Sequence, residues 1–232
     1  MGESNLMEKT YTRREALKFA GKAAAGVVVA GVVPSILTGC AKKPESPSKE
    51  VLSYEYKEAS KDAPEHPYPY QKLDVETAKE RAYASFFNKG GCCRAVFDAI
   101  AGQLADNAGY PWNQIPVDVF ANGSSGFGSG SLCGALGGAA TVIGLACPPD
   151  DAKTLMAELT KWYTSTELPE YQPEIKNETV TATSADCKDS VGLFLQKTGY
   201  SMDDPERKAR CAGLSADTAG KVVELINNFY KL

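Results

Sequence analysis

The run Ser215-Ala216-Asp217-Thr218-Ala219-Gly220-Lys221-Val222-Val223-Glu224-Leu225-Ile226-Asn227-Asn228-Phe229-Tyr230-Lys231 sets Ala219, Val222, Ile226 and Phe229 at three- and four-residue steps. That spacing is one buried stripe of an α-helix, and it predicts a helix over 215–231. Upstream, Asp204 and Pro205 are an N-cap and first-turn pair, and predict a helix over Pro205–Ala212. Another is expected over Ala185–Lys197. Residues 167–183 carry prolines and alternating Thr and Val, and predict an ordered loop or short strand.

The same periodicity continues toward the N-terminus. Asp74 is a cap candidate for a helix bearing Val75, Ala78, Ala82 and Phe86, ended by Gly90-Gly91. A second begins at Cys92, carries Val96, Ile100 and Leu104, and ends at Gly109. A glycine-rich run, 123–130, leads to a small-residue helix from Ser131 or Leu132 to about Ala146, stopped by Pro148-Pro149. Asp150 or Asp151 can cap a helix running to about Tyr163. Strands are nearly absent, so the expectation is an all-α domain over 73–232 with about six to seven helices and no internal repeat.

Residues ahead of that domain read as an address. Thr12-Arg13-Arg14-Glu15-Ala16-Leu17-Lys18 matches the twin-arginine export pattern except at Ala16, and an apolar stretch follows from Phe19 to Leu37. Leu37-Thr38-Gly39-Cys40 is a lipobox, with Cys40 as the lipid-attachment residue. The expectation is a cleaved signal over 1–40, export by the twin-arginine route, and a lipid anchor at the periplasmic or cell-surface face of a membrane. Acyl chains at about 0.8 kcal/mol per buried methylene would hold the chain there. Residues 41–72, rich in Lys, Glu, Pro and Ser, read as a flexible linker. Tyr54, Tyr56, Tyr68 and Tyr70 are candidates to dock part of it, and His66 reads as a solvated linker residue.

Composition narrows the chemistry. The 232-residue chain has a net charge of −4, which argues against a nucleic-acid partner reached through a basic surface. His66 is the single histidine, which excludes a bis-histidine haem within one chain and a zinc site with two histidines. Seven cysteines become six once Cys40 carries lipid. These six, Cys92, Cys93, Cys133, Cys147, Cys187 and Cys211, are scattered over several helices, so any shared site must be assembled by the fold. Cys92 lines up with the inward stripe of its helix. Cys133 has only Gly137 and Ala140 one and two turns on, a bare face that another backbone or an inorganic cluster can approach. The flexible run 123–130 offers backbone N–H groups. Cys187 opens one predicted helix and Cys211 closes another.

Cys92-Cys93-Arg94-Ala95-Val96, Gly126-Phe127-Gly128-Ser129-Gly130-Ser131-Leu132-Cys133-Gly134-Ala135-Leu136-Gly137-Gly138-Ala139, Cys187 and Arg210-Cys211 together resemble the C-GCAxxG-C-C family of redox proteins, over about 75–230. Gly109-Tyr110-Pro111-Trp112, Ile115-Pro116-Val117-Asp118 and Arg207-Lys208-Ala209-Arg210-Cys211 look most like its split-Soret cytochrome c branch. The resemblance implies a helical, dimeric redox protein with an iron–sulfur cluster on Cys92, Cys133, Cys187 and Cys211, Cys93 being the alternative to Cys92. Cys147 lies outside the family pattern and reads as a buried thiol. The branch's haem does not carry over, because an attachment motif ending at Cys187 would need Cys and His where Ser184 and Lys188 stand.

The reading is therefore an electron-transfer protein more than a catalyst, with an unidentified redox partner. Thiolates suit iron, and the twin-arginine route carries proteins already folded around a cofactor. Two other readings stay open: a disulfide-stabilised structural or partner-binding lipoprotein with no cofactor, and a thiol–disulfide or metal-trafficking enzyme.

Overall fold

The computed structural model describes residues 62–232. The signal, Cys40, Tyr54, Tyr56 and the linker up to residue 61 lie outside the described residues. Among the described residues there are seven α-helices: α1 Val75–Ser85, α2 Cys92–Phe97, α3 Gln103–Ala108, α4 Gly134–Ala146, α5 Pro149–Tyr163, α6 Cys187–Thr198 and α7 Pro205–Tyr230. Among the described residues there is no strand, only two isolated antiparallel bridges, Leu132 with Asp186 and Leu168 with Val180. The second bridge is what the Thr/Val alternation of 167–183 becomes. None of these helices is long and apolar enough to cross a membrane.

Helix α4 is the centre. Its sequence, GALGGAATVIGLA, is apolar or small on all sides, as befits a helix enclosed by others. It packs against α2, α5 and α7, while α1 lies along α7. Asp74 caps α1 as expected: its carboxylate accepts from the Thr77 N–H at 2.7 Å and the Thr77 hydroxyl at 2.8 Å. Asn227 of α7 fixes the approach to α1, donating to the Leu73 carbonyl at 2.9 Å and accepting from the Tyr70 hydroxyl at 3.0 Å.

Four expectations on the helices need correction. The two C-terminal helices are one, α7, of 26 residues. Gly213 does not end a helix; it lets α7 press on the segment between α5 and α6, where an added Cβ would meet the Tyr171 carbonyl oxygen and the Pro169 ring. Cys211 consequently lies within α7 and not at a helix end. The helix expected from Cys92 to Gly109 is interrupted by a π-helical turn over Asp98–Gly102. There the buried Asp98 carboxylate accepts from Ser85 at 2.5 Å and Arg81 at 3.1 Å. Helix α5 begins at Pro149 with Pro148 as its N-cap, so Asp150 and Asp151 fill the first turn instead of capping it. Both still favour the positive end of the helix.

Just ahead of α1, the chain lies against the domain. Tyr68 donates its backbone N–H to Leu145 at 2.7 Å and packs edge-on to Trp112. Tyr70 stacks on Tyr230. His66 is exposed, yet its Nε2 lies 2.7 Å from the Gly144 carbonyl, so it is bonded and not merely solvated.

Candidate metal centre

The small-residue helix was expected to start at 131 or 132. Instead, residues 131–133 are extended and pair with 185–187. The Cys133 N–H donates to the Ala185 carbonyl at 2.8 Å, and the Cys187 N–H donates to the Ser131 carbonyl at 2.7 Å. Cys133 is the N-cap of α4, and Cys187 is the first residue of α6. One bridge thus delivers two cysteines to the N-terminal ends of two helices, where partial positive charge favours a thiolate.

Glycine 134, the residue after Cys133, brings in the third. A Cβ there would meet the Gly123 carbonyl and would sit 2.5 Å from the Cys92 sulfur. Only a residue without a side chain allows the start of α4 to lie this close to the start of α2. Cys211 enters from α7, and the adjoining Arg210 Nη1 lies 3.9 Å from its sulfur. Cys92 lies within electrostatic reach of Cys133, Cys187 and Cys211, and Cys187 within reach of Cys133 and Cys211. Among the described residues, however, no three Cys, His, Asp or Glu side chains converge tightly enough to hold a metal ion as they stand. All six described cysteines are free thiols.

The site is polarised toward Cys133. Its thiol is held below the usual thiol range, chiefly because the Cys92 thiol shares a hydrogen with its sulfur; the Tyr163 hydroxyl, the Ala135 N–H and the Arg210 charge add to this against the opposing effect of burial. Cys92, which supplies that hydrogen, is raised well above the usual thiol range by it and by burial. Burial, then the charges of Cys133 and Cys211, push Cys187 up to about 11. Cys92, Cys187 and Cys211 are half-buried, so the site has one side near the surface, whereas Cys133 is enclosed.

Three polar side chains near Cys133 were not singled out from the sequence. Tyr163 is fully buried, and its hydroxyl faces Cys133 and Ser190 without completing a hydrogen bond of good geometry to either. Burial first, and the Cys133 charge second, hold that hydroxyl protonated far beyond the usual phenol range. Arg210 is 1% exposed and donates from Nη2 to Ser190 Oγ at 2.7 Å. Tyr163 and Ser190 give no signal in sequence, and Arg210 gives one only by standing beside Cys211.

Cys93 lies beside the site and Cys147 apart from it. Cys93 is buried under Gly123, where a Cβ would come within 2.6 Å of its sulfur, and burial, then the Cys133 charge, raise its thiol to about 11. Cys147 is buried beyond the far end of α4, where burial and the Asp151 charge raise it to about 11. The glycine-rich run folds as a tight turn. Ser125, Gly126, Phe127, Gly128 and Gly130 all adopt left-handed φ, and the hydroxyls of Ser129 and Ser131 donate to the Gly126 carbonyl at 2.8 and 3.0 Å. The loop places the Phe127 ring over Gly137, where a Cβ would meet it at 2.8 Å.

Residues 91–225 match the family described as "Putative redox-active protein (C_GCAxxG_C_C)". The chain belongs to this family. Split-Soret cytochrome c from Desulfovibrio desulfuricans is 31% identical over 165 residues, which cover 67% of this chain and 59% of that protein. The chain thus spans about three-fifths of that relative's length. The solved structure of split-Soret cytochrome c from strain ATCC 27774, described for its novel iron centre, is similar with a TM-score of 0.69 and 29% identity. It covers 71% of this chain and 72% of its own. In this C_GCAxxG_C_C member Cys92, Cys133 and Cys187 lie at the starts of α2, α4 and α6, and Cys211 lies on α7.

Proposed function

We propose that this family member is an exported electron-transfer protein whose Cys92, Cys133, Cys187 and Cys211 hold an iron–sulfur cluster. The observation that carries the reading is the collection of four thiols beside a buried guanidinium with no carboxylate partner among the described residues. A cluster with its own inorganic sulfide spaces its protein thiolates more widely than a lone ion does, which suits a set in which no three side chains close on one point. The donor chemistry fits: soft sulfurs, a helix N-terminus, and two buried polar atoms, Tyr163 Oη and Arg210 Nε, that lack acceptors. The glycine at 134 keeps clear the space that a Cβ would fill. The novel iron centre named for the solved relative supports the same reading.

When bound, such a cluster supplies one-electron redox chemistry. The chain's own part is to hold the sulfurs, to shield Cys133, and to keep three thiols near the surface side where a partner protein can approach. Covalent haem is not part of the proposal, because Ser184 and Lys188 stand where an attachment motif ending at Cys187 would need Cys and His. Export by the twin-arginine route, anchoring through Cys40 and a homodimeric state complete the proposal.

The Cys92 sulfur, 2.5 Å from where a Cβ on Gly134 would stand, lies beside the residue that follows Cys133, and this favours one competing reading, a disulfide between the two with no cofactor. Anaerobic purification of the full chain separates the two. Iron, acid-labile sulfide and a visible band that dithionite bleaches support the cluster. Colourless protein lacking both iron and free thiols overturns it.

A further inference from the structure

Arg210 is a fully buried charge with no carboxylate in ion-pair reach among the described residues. Its Nη2 donates to Ser190 at 2.7 Å, its guanidinium carbon lies 5.7 Å from the centre of the Phe194 ring, and its Nε is buried with no acceptor. Ser190 is itself 1% exposed and sits one turn along α6 from Cys187. A buried guanidinium is costly unless something negative faces it. Tyr163 is no such group, since burial keeps it neutral. The remaining candidates on the elements packed around it are the sulfurs, Cys211 on its own helix, Cys133 at the start of α4 and Cys187 at the start of α6. The Arg207 charge also faces Cys187, so this side of the site is doubly cationic.

We infer that Arg210, clamped by Ser190 and Phe194, is a positioning residue for the cysteine site, whose fixed positive charge balances the ligand thiolates and raises the reduction potential of what they hold. This rests on the iron–sulfur reading above. Four thiolates bring four negative charges into a half-buried site, and the guanidinium offsets part of that load. Adding an electron makes the site more negative, so a cation fixed beside it favours the reduced state. The fork of Arg also lets one nitrogen be held by Ser190 while another faces sulfur, which a lysine ammonium does less well.

The test uses the full chain purified anaerobically, with Arg210→Gln, Arg210→Lys and Ser190→Ala. Iron and sulfide are counted, the midpoint potential is measured, and melting is followed with and without iron. The expected result is a more negative potential in Arg210→Gln, a smaller shift in Arg210→Lys and Ser190→Ala, and a loss of the stability that iron confers. Metal-free Arg210→Gln should melt no lower than metal-free wild type, because the uncompensated charge has gone. An unchanged potential with iron retained overturns the role. Equal destabilisation with and without iron also overturns it, since that is what a merely structural arginine would show. Should Arg210→Gln fail to fold, the potential of Ser190→Ala decides alone. Wild-type protein without iron or sulfide overturns the proposed function itself, an outcome distinct from the other two.

Discussion

The Cys187 N–H donates to the Ser131 carbonyl at 2.7 Å, two residues before Cys133. With the reciprocal bond from Cys133 to Ala185, it makes the cysteine positions at the starts of α4 and α6 one mechanical unit. Neither amide is inside a helical ladder, yet both are satisfied. The expected outcome in hydrogen exchange is that the amides of Cys133 and Cys187 are slow and lose protection together. Exchange of Cys187 at the rate of an open loop would show that the bridge does not hold the site.

Glycines 138 and 144 stand in the same helix with opposite surroundings. A Cβ at Gly138 would lie 2.5 Å from the Cys93 carbonyl oxygen and 3.3 Å from the Phe97 nitrogen, all backbone of α2. At Gly144 nothing lies within 4 Å. Gly138→Ala must push α2 and α4 apart and is expected to cost about 1–3 kcal/mol. Gly144→Ala should gain roughly 0.5–1 kcal/mol from helix propensity alone. Urea unfolding of the two variants checks both signs.

These contacts also mark what sequence could and could not disclose. The apolar stripe of 215–231 and the Asp74 cap were legible because each depends on residues within one or two turns. The continuity of α7 through Gly213 was not, because the reason for that glycine is Tyr171, far away in sequence. Residues 131–133 had helical composition but were drawn into an extended pairing by 185–187, again a distant partner. In the site, thiol identities stand in the motif, whereas Tyr163 and Ser190 are ordinary residues that tertiary packing alone sets beside Cys133.

Asp217 gives a pH dependence of known sign. It is buried on α7 and accepts from the N–H groups of Glu170 and Tyr171 at 2.7 and 3.1 Å. Burial dominates and raises its carboxyl from 3.8 to about 6. Between those values the folded chain binds a proton that the unfolded chain has lost. Its contribution to stability is therefore present in acid and fades as pH rises through about 4 to 6, by on the order of 2–3 kcal/mol. Asp217→Asn keeps an acceptor for the two N–H groups and removes the titration. Its urea midpoint should fall less than that of wild type, relative to the same buffer, over that window. Parallel curves for the two proteins would show that the carboxyl titrates alike folded and unfolded.

Cys133 and Cys147 are both buried cysteines flanking α4, one at its N-cap and one just past its last residue. Only the first has thiol neighbours, a shared hydrogen from Cys92 and the Arg210 charge. The second has Asp151 and the tyrosines at 70 and 230 nearby, none of which suits iron. Cys133→Ser is expected to lose most of the bound iron and sulfide, because a hydroxyl is a poor ligand where a soft thiolate is wanted. Cys147→Ser should retain them and lose only modest stability from placing a hydroxyl in an apolar pocket. Iron and acid-labile sulfide per chain, measured on anaerobically purified variants, decide the matter. Equal iron in both would mean that the sulfur at the start of α4 is not a ligand, and that the cluster, if one is bound, is built on another set of thiols.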